Sequence, residues 1–258
     1  MAETGTASTR ADGGVRSIAR AVEVLELFDA QHPIRQLREL VTLTGLPKTT
    51  VVRLLATLES LSLITDRGDS SYGPGPGFLR WVQLAKSLWE VSSETRTTMS
   101  GLVDTCGETV NVYIRQGLNR IAVAQVEGTA TVRSVVEVGV PYPLATGATA
   151  KILLGGAPEE ILHELVSRRP DLSLEPLRRE VAGIREAGYA VTHGERELGA
   201  SAVAAPITNA DGRIVAALSV SGPTSRFNAD RVGRYVDAVT SAAERISATG
   251  LGPVEVFL

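Results

Sequence analysis

Residues 45–63 read GLPKTTVVRLLATLESLSL. Gly45 and Pro47 are turn residues, and Lys48, Thr49 and Thr50 lead into a segment with helical period. At about 100° per residue, Val51, Leu54, Leu55 and Leu58 share one side. Thr49, Val52, Arg53 and Ala56 share the other. The outward side is therefore small and neutral apart from one guanidinium. Hydroxyls, methyls and a guanidinium can address base edges and phosphates, so the segment reads as a recognition helix for a DNA major groove. An ordinary surface helix satisfies the same pattern, and the flanking sequence has to decide between the two.

Upstream, IARAVEVLELFD keeps helical spacing through Ile18, Val22, Leu25 and Phe28, with Ser17 as the expected N-cap. Arg16 and Arg20 flank the helix start, where a phosphate can approach. After Pro33 a short helix is expected over Gln36–Thr44, with Leu37, Leu40 and Val41 on one side. Three helices with tight turns and a short middle member match a helix-turn-helix. Downstream, Leu63–Thr65 and Ser71–Tyr72 read as two strands around the turn Arg67–Ser70. A hairpin in that place is the wing of a winged helix. Arg67 at its tip is either a DNA contact or a solvated charge. The run Gly73-Pro-Gly-Pro-Gly77 lacks the donors and the strand–loop–helix order of a dinucleotide loop, and reads as a domain junction.

A helical span from Phe78 to about Cys106 follows. Leu79, Val82, Leu84, Leu88 and Val91, with Trp81 and Trp89, give it an apolar side suited to dimerisation or to packing on the chain's own second half. From Gly107 the pattern turns to β. Strands are expected at Val110–Ile114, Ile121–Val126, Val132–Val138, Tyr189–Thr192, Ser201–Thr208 and Arg213–Ser221, the last two joined by the turn Asn209–Gly212. Helices are expected after the loop at 141–150, over Pro158–Ser167 and Pro176–Ala187, and from the cap Asn228 to Ala248. The fold class is α+β, with an antiparallel sheet carrying helices.

Composition bounds the function. The 258 residues are 43% hydrophobic and 21% charged, enough for two ordinary domains. No run approaches the ~18 apolar residues of a membrane span. The small, polar start of the chain reads as a disordered tail. Cys106 is the only cysteine, which excludes an intrachain disulfide and a thiolate metal cluster and fits a cytoplasmic location. Residues 1–80 carry nine Lys/Arg and nine Asp/Glu, so DNA binding must rest on local arrangement and dimerisation rather than a basic field. His32, His163 and His193 lack metal spacing; Ser219 and Ser221 lack a nucleophile elbow; Lys151 lacks a phosphate loop. No catalytic residue, metal or cofactor is expected. Glu195 and Glu197 read as solvated loop charges. A small-residue loop, Ala145–Ala150, opens a helix beside a strand that presents Ser219 and Ser221 on one face. Ala200 and Ala202 likewise share a face. These residues suit a small carboxylate ligand, or alternatively only a tightly packed sheet.

VRSIARAVEVLELF, GLPKTTVVRLLATLESLSLI, CGETVNVYI, YPLATGATAK, GERELGASAVAAPI and GRIVAALSVSGPTSR together resemble transcriptional regulators of the IclR family, from Val15 to about Ala248. The resemblance implies a disordered tail (1–14), a winged helix-turn-helix (15–76), a linker and dimerisation helix (77–92) and a GAF-like effector domain (93–250). It implies a homodimer or tetramer on a palindromic double-stranded operator, tuned by a small-molecule effector, with no membrane partner. Effector binding then acts through the spacing of paired recognition helices. The DNA-contact candidates are Arg16, Ser17, Arg20, Lys48, Thr49, Thr50, Val52, Arg53 and Arg67. The effector-contact candidates carried over from a relative that binds small oxo-acids are Ala148, Thr149, Thr192, Ala200, Ala202, Ser219 and Ser221, with Thr131 less surely aligned. Departures at Ala145, Gly147, Gly194, Ser201 and Ala202, where many relatives carry polar groups, imply a less polar and roomier pocket for a larger or more apolar effector. The competing class is an enzyme acting on a small carboxylate, its helix-turn-helix serving assembly.

Overall fold

The computed structural model describes residues 15–258. The expected tail at 1–14 lies outside the described residues. Helix α1 spans Arg16–Leu25. Ser17 is not its cap. The extended residue before the helix is Val15, whose carbonyl accepts from the amides of Ile18 and Ala19, so Ser17 falls inside the first turn. Strand β1 is Arg35–Gln36 and helix α2 is Leu37–Thr44. Gln36 and Glu39 form a reciprocal capping box, and Gly45 ends the helix at φ +63°. Helix α3 spans Lys48–Ser60, strand β2 Ile64–Asp66 and strand β3 Ser71–Pro74. β3 pairs antiparallel with both β2 and β1. At two residues, β1 is too short to leave a periodic signal. Val24, Leu40, Val51, Leu55, Leu58 and Ile64 form the buried core of this part, so the wing and all three helices share one set of contacts.

Gly73–Gly77 is not a loose junction. Gly73 and Pro74 belong to β3. The Gly75 amide donates to the Leu63 carbonyl at 2.9 Å and the Gly77 amide to the Ser62 carbonyl at 2.8 Å. Glycine is needed because a Cβ on Gly75 or Gly77 meets the Ser62 carbonyl. The run is a strap that closes the wing onto the end of α3.

The expected single helix after it is two helices, α4 at Phe78–Trp89 and α5 at Ser93–Cys106. The break comes where Ser92 turns extended and its hydroxyl accepts from the Thr95 amide, starting α5 afresh. The chain divides into two compact units inside α4, between Lys86 and Ser87.

In the second unit, β4 (Thr109–Gln116), β5 (Asn119–Val126), β6 (Pro141–Pro143), β7 (Ala190–His193), β8 (Ala200–Thr208) and β9 (Ile214–Pro223) form one antiparallel sheet. The order is β6-β5-β4-β9-β8-β7. Val132–Val138 is not a strand. Its Val136 amide bonds the Gln125 side chain instead of a neighbouring backbone, and only Val136 of its valines is buried. Helices α6 (Ala148–Gly155), α7 (Glu159–Arg168) and α8 (Leu174–Ala187) supply the core on one sheet face. Helices α5 and α9 (Ala229–Thr249, capped by Asn228) supply the other. Both faces are therefore covered, and β4 buries Asn111 and Tyr113 as well as its alternating valines. Beyond α9, Leu251 and Val254 are fully buried in the same core, the second in a 3₁₀ turn at Pro253–Phe257, which also stacks Phe257 on Trp89 at 4.7 Å.

Candidate functional sites

On the first unit, α3 buries Val51, Leu55 and Leu58 and exposes Lys48, Thr49, Val52, Arg53 and Ala56, with Thr50 at the margin. The sidedness expected from periodicity is the sidedness observed. Pro47 precedes the helix without a side-chain cap, and no acid lies in its first turn, so the positive end of the helix dipole faces outward with Lys48. Arg16, Ser17 and Arg20 of α1 border the same groove as Thr50 and Arg53 of α3. Arg67 stands exposed at the wing tip, where its amide bonds the Ser71 carbonyl. Asp69 and Ser70 complete that turn at φ +52° and +58°. Five of the nine candidates thus line one groove, three stand along the exposed side of α3, and one occupies the wing.

On the second unit, register decides the site. Ala202 pairs with Thr192 and Ser221, Ala204 pairs with Ser219, and Ser219 pairs in turn with Asn111. The N-terminus of α6 abuts the same place. The Ala148 amide donates to Thr192 Oγ1 at 3.1 Å, and the Gly147 amide donates to Glu195 Oε2 at 3.2 Å. Ala148, Thr149, Thr192, Ala200, Ala202, Ser219 and Ser221 all border one cavity of about 40 Å³. Thr131 is exposed and does not border it.

Three expectations change here. Glu195 is exposed, as a solvated loop charge would be, but it also has partners: besides accepting from the Gly147 amide it accepts from Lys151 Nζ at 2.6 Å, and Lys151 also bonds Glu180 at 2.7 Å. Two of the helix amides expected to meet a ligand anion are therefore taken by the protein itself. The cavity is also narrow and charged rather than roomy and apolar. Arg120 and Arg196 both border it, and the ring of Tyr113 lies 5.7 Å from the Arg120 guanidinium. Sequence reasoning missed both arginines because Arg120 is set inward only by the β4–β5 register, and Arg196 by the loop that follows β7. Burial pushes the Cys106 thiol up to about 11, which keeps it protonated. Among the described residues no group of acids, histidines or cysteines is arranged to hold a metal, and no helix is long and apolar enough to cross a membrane.

A winged helix-turn-helix joined to a cavity-bearing α+β unit is the architecture of a DNA-binding transcriptional regulator. Residues 17–68 match the IclR helix-turn-helix domain, and residues 85–248 match the bacterial transcriptional regulator IclR C-terminal domain. The chain belongs to the IclR family. It is 30% identical to the HTH-type transcriptional regulator KipR of Bacillus subtilis, over 90% of this chain and 96% of that one. A crystal structure of an IclR-family regulator from Rhodococcus sp. is 50% identical, covers 98% of this chain and 100% of its own, and superposes with a TM-score of 0.63. An IclR homologue from Microbacterium hydrocarbonoxydans, solved in complex with 4-hydroxybenzoate, shares the fold at 21% identity, with 93% and 99% coverage and a TM-score of 0.72.

Proposed function

We propose that the protein binds a palindromic operator as a homodimer or tetramer in the cytoplasm, and that a small organic acid in the second-unit cavity changes its operator affinity. In this reading residues 15–76 are the DNA-binding domain, 77–92 the dimerising linker and 93–250 the effector domain. Lys48, Thr49, Thr50, Val52 and Arg53 read the major groove. Arg16, Ser17 and Arg20 hold the adjoining phosphates, and Arg67 reaches the backbone or minor groove from the wing. Ala148, Thr149, Thr192, Ala200, Ala202, Ser219 and Ser221 contact the effector. The observation that carries the reading is that these seven positions, dispersed over 74 residues of sequence, border one cavity beside a buried arginine. The exposed apolar residues of α4, including Leu79 and Trp81, support a dimer contact. Effector and operator then act on each other's affinity reciprocally.

The test is fluorescence anisotropy at fixed salt with the duplex upstream of the protein's own gene and with a shuffled duplex. Sequence-selective binding is expected. Arg53→Ala should weaken it by about 1–3 kcal/mol, as loss of a good base or phosphate contact does. A folded variant that binds as tightly as the parent would show that α3 is turned the wrong way in this reading.

A further inference from the structure

The cavity holds two guanidinium groups, and none of its lining residues is acidic. Arg120 is 2% exposed. Its Nη1 donates to the carbonyls of Pro143 and Thr146 at 2.7 and 2.6 Å. Its Nε is buried and has no hydrogen-bond partner. A buried charged donor left in that state is costly unless something else completes it. The ionisable groups that face it are Tyr113, Arg196 and Tyr142, two phenols and a second cation. Burial pulls its pKa down to about 10, which still leaves it fully charged at neutral pH. Arg196 lies over the Tyr142 ring at 6.0 Å and reaches Ser134 Oγ at 3.4 Å. Its ion-pair partner, Glu197, is 3.6 Å away and 72% exposed, so that pairing is a weak one.

The geometry of Arg120 also limits what can complete it. With Nη1 on two carbonyls, the edge left for a ligand is Nε with Nη2. Two parallel N–H groups on one planar edge match the two oxygens of a carboxylate. Nη2 lies on the Gly147 side of the cavity, 3.6 Å from where a Cβ on that glycine would sit.

We propose that the effector is a small dicarboxylate, with one carboxylate on the Nε–Nη2 edge of Arg120 and the other on Arg196. This rests on the reading of the cavity as the effector site and adds the charge and class of the ligand. Ser219 and Ser221 supply hydroxyls between the two ends.

Calorimetric titration of the full chain tests it, with malonate, succinate and glutarate against propionate, butyrate and valerate, and with inorganic phosphate. At least one diacid should bind ten-fold or more tighter than the monoacid of equal length. Arg196→Met should remove that advantage, and Arg120→Lys should abolish binding of the whole panel. Arg196 is at the cavity rim, so its variant tests the idea even where a change at Arg120 costs the fold, which circular dichroism reports. Equal binding of monoacids and diacids, an unchanged ratio in Arg196→Met, phosphate binding tighter than every diacid, or a silent panel would each overturn the dicarboxylate. Monoacid binding that is lost in Ser219→Val plus Ser221→Val would leave the effector site standing while the dicarboxylate falls. Diacid binding that survives that double change and Arg120→Lys would place the ligand elsewhere and overturn both.

Discussion

Replacing Gly75 by alanine should damage DNA binding without touching a residue that faces DNA. A Cβ there runs into the Ser62 carbonyl oxygen, and it also comes within 2.8 Å of the Ser62 carbonyl carbon and 2.9 Å of the Ile64 nitrogen. All three are backbone atoms in a turn that β2 and α3 hold on both sides, so no flexible side chain can yield. Ordinary contact starts at 3.4 Å, and the strap must retreat to reach it. Overpacking of this kind costs about 1–3 kcal/mol. Retreat also stretches the bonds from Gly75 to Leu63 and from Gly77 to Ser62, each worth about 0.5–1.5 kcal/mol. The total is about 2–6 kcal/mol. For a unit of this size that lowers the melting midpoint by at least roughly 8 °C. Gly68→Ala is the control. Gly68 has φ +88° and nothing within 4 Å of its Cβ position, so only backbone strain of about 1–2 kcal/mol applies. Circular-dichroism melts of both variants, with operator anisotropy below the transition, measure the difference. A Gly75→Ala chain that melts within about 2 °C of the parent, or above Gly68→Ala, would refute the strap.

Other outcomes follow from the second unit. Arg226 clamps the buried Glu108 carboxylate through Nε and Nη2 at 2.5 and 2.6 Å, but it is itself 27% exposed. Arg226→Met should therefore cost about 2–3 kcal/mol in denaturant unfolding, with Glu108→Gln in the same background restoring at least half. Burial alone would lower the Lys151 pKa, yet its bonds to Glu180 and Glu195 outweigh this and raise it above 10.5. Its stabilising contribution is thus complete below the ordinary lysine value and lost as pH rises through the raised one. Lys151→Met should melt below the parent at pH 8, and the gap should close as pH rises through the raised value. The same variant should speed hydrogen exchange at the Gly147 amide, whose acceptor Glu195 it releases. Ser219→Val plus Ser221→Val should blunt the effector response while ligand-free DNA binding stays intact; joint loss of both would mark a folding role instead.

Local sequence determined four features: periodicity the sidedness of α3, and turn and capping residues the hairpin after it, the turn at Asn209–Gly212 and the cap at Asn228. Each is a local property of a few neighbouring residues, and each survived in the tertiary fold. The cavity lining was partly legible in the residues: the small-residue loop at 145–150, Ala200 with Ala202 and Ser219 with Ser221 suggested a shared site, whereas Thr192 entered only through family resemblance. What the sequence hid was set by contacts between distant segments. The valines at 132–138 alternate like a strand, yet the segment makes no ladder, and its Val136 amide goes to the Gln125 side chain. Gly75 and Gly77 look flexible, yet the Ser62 backbone fills the space their missing side chains leave. Asn111 and Tyr113 sit at positions that alternation assigns to solvent, until α6 covers that face. Arg120 is the sharpest case. An arginine beside a turn belongs in water by its chemistry. Only the carbonyls of Pro143 and Thr146, brought from more than twenty residues away, hold it inside the cavity with one donor still unmet.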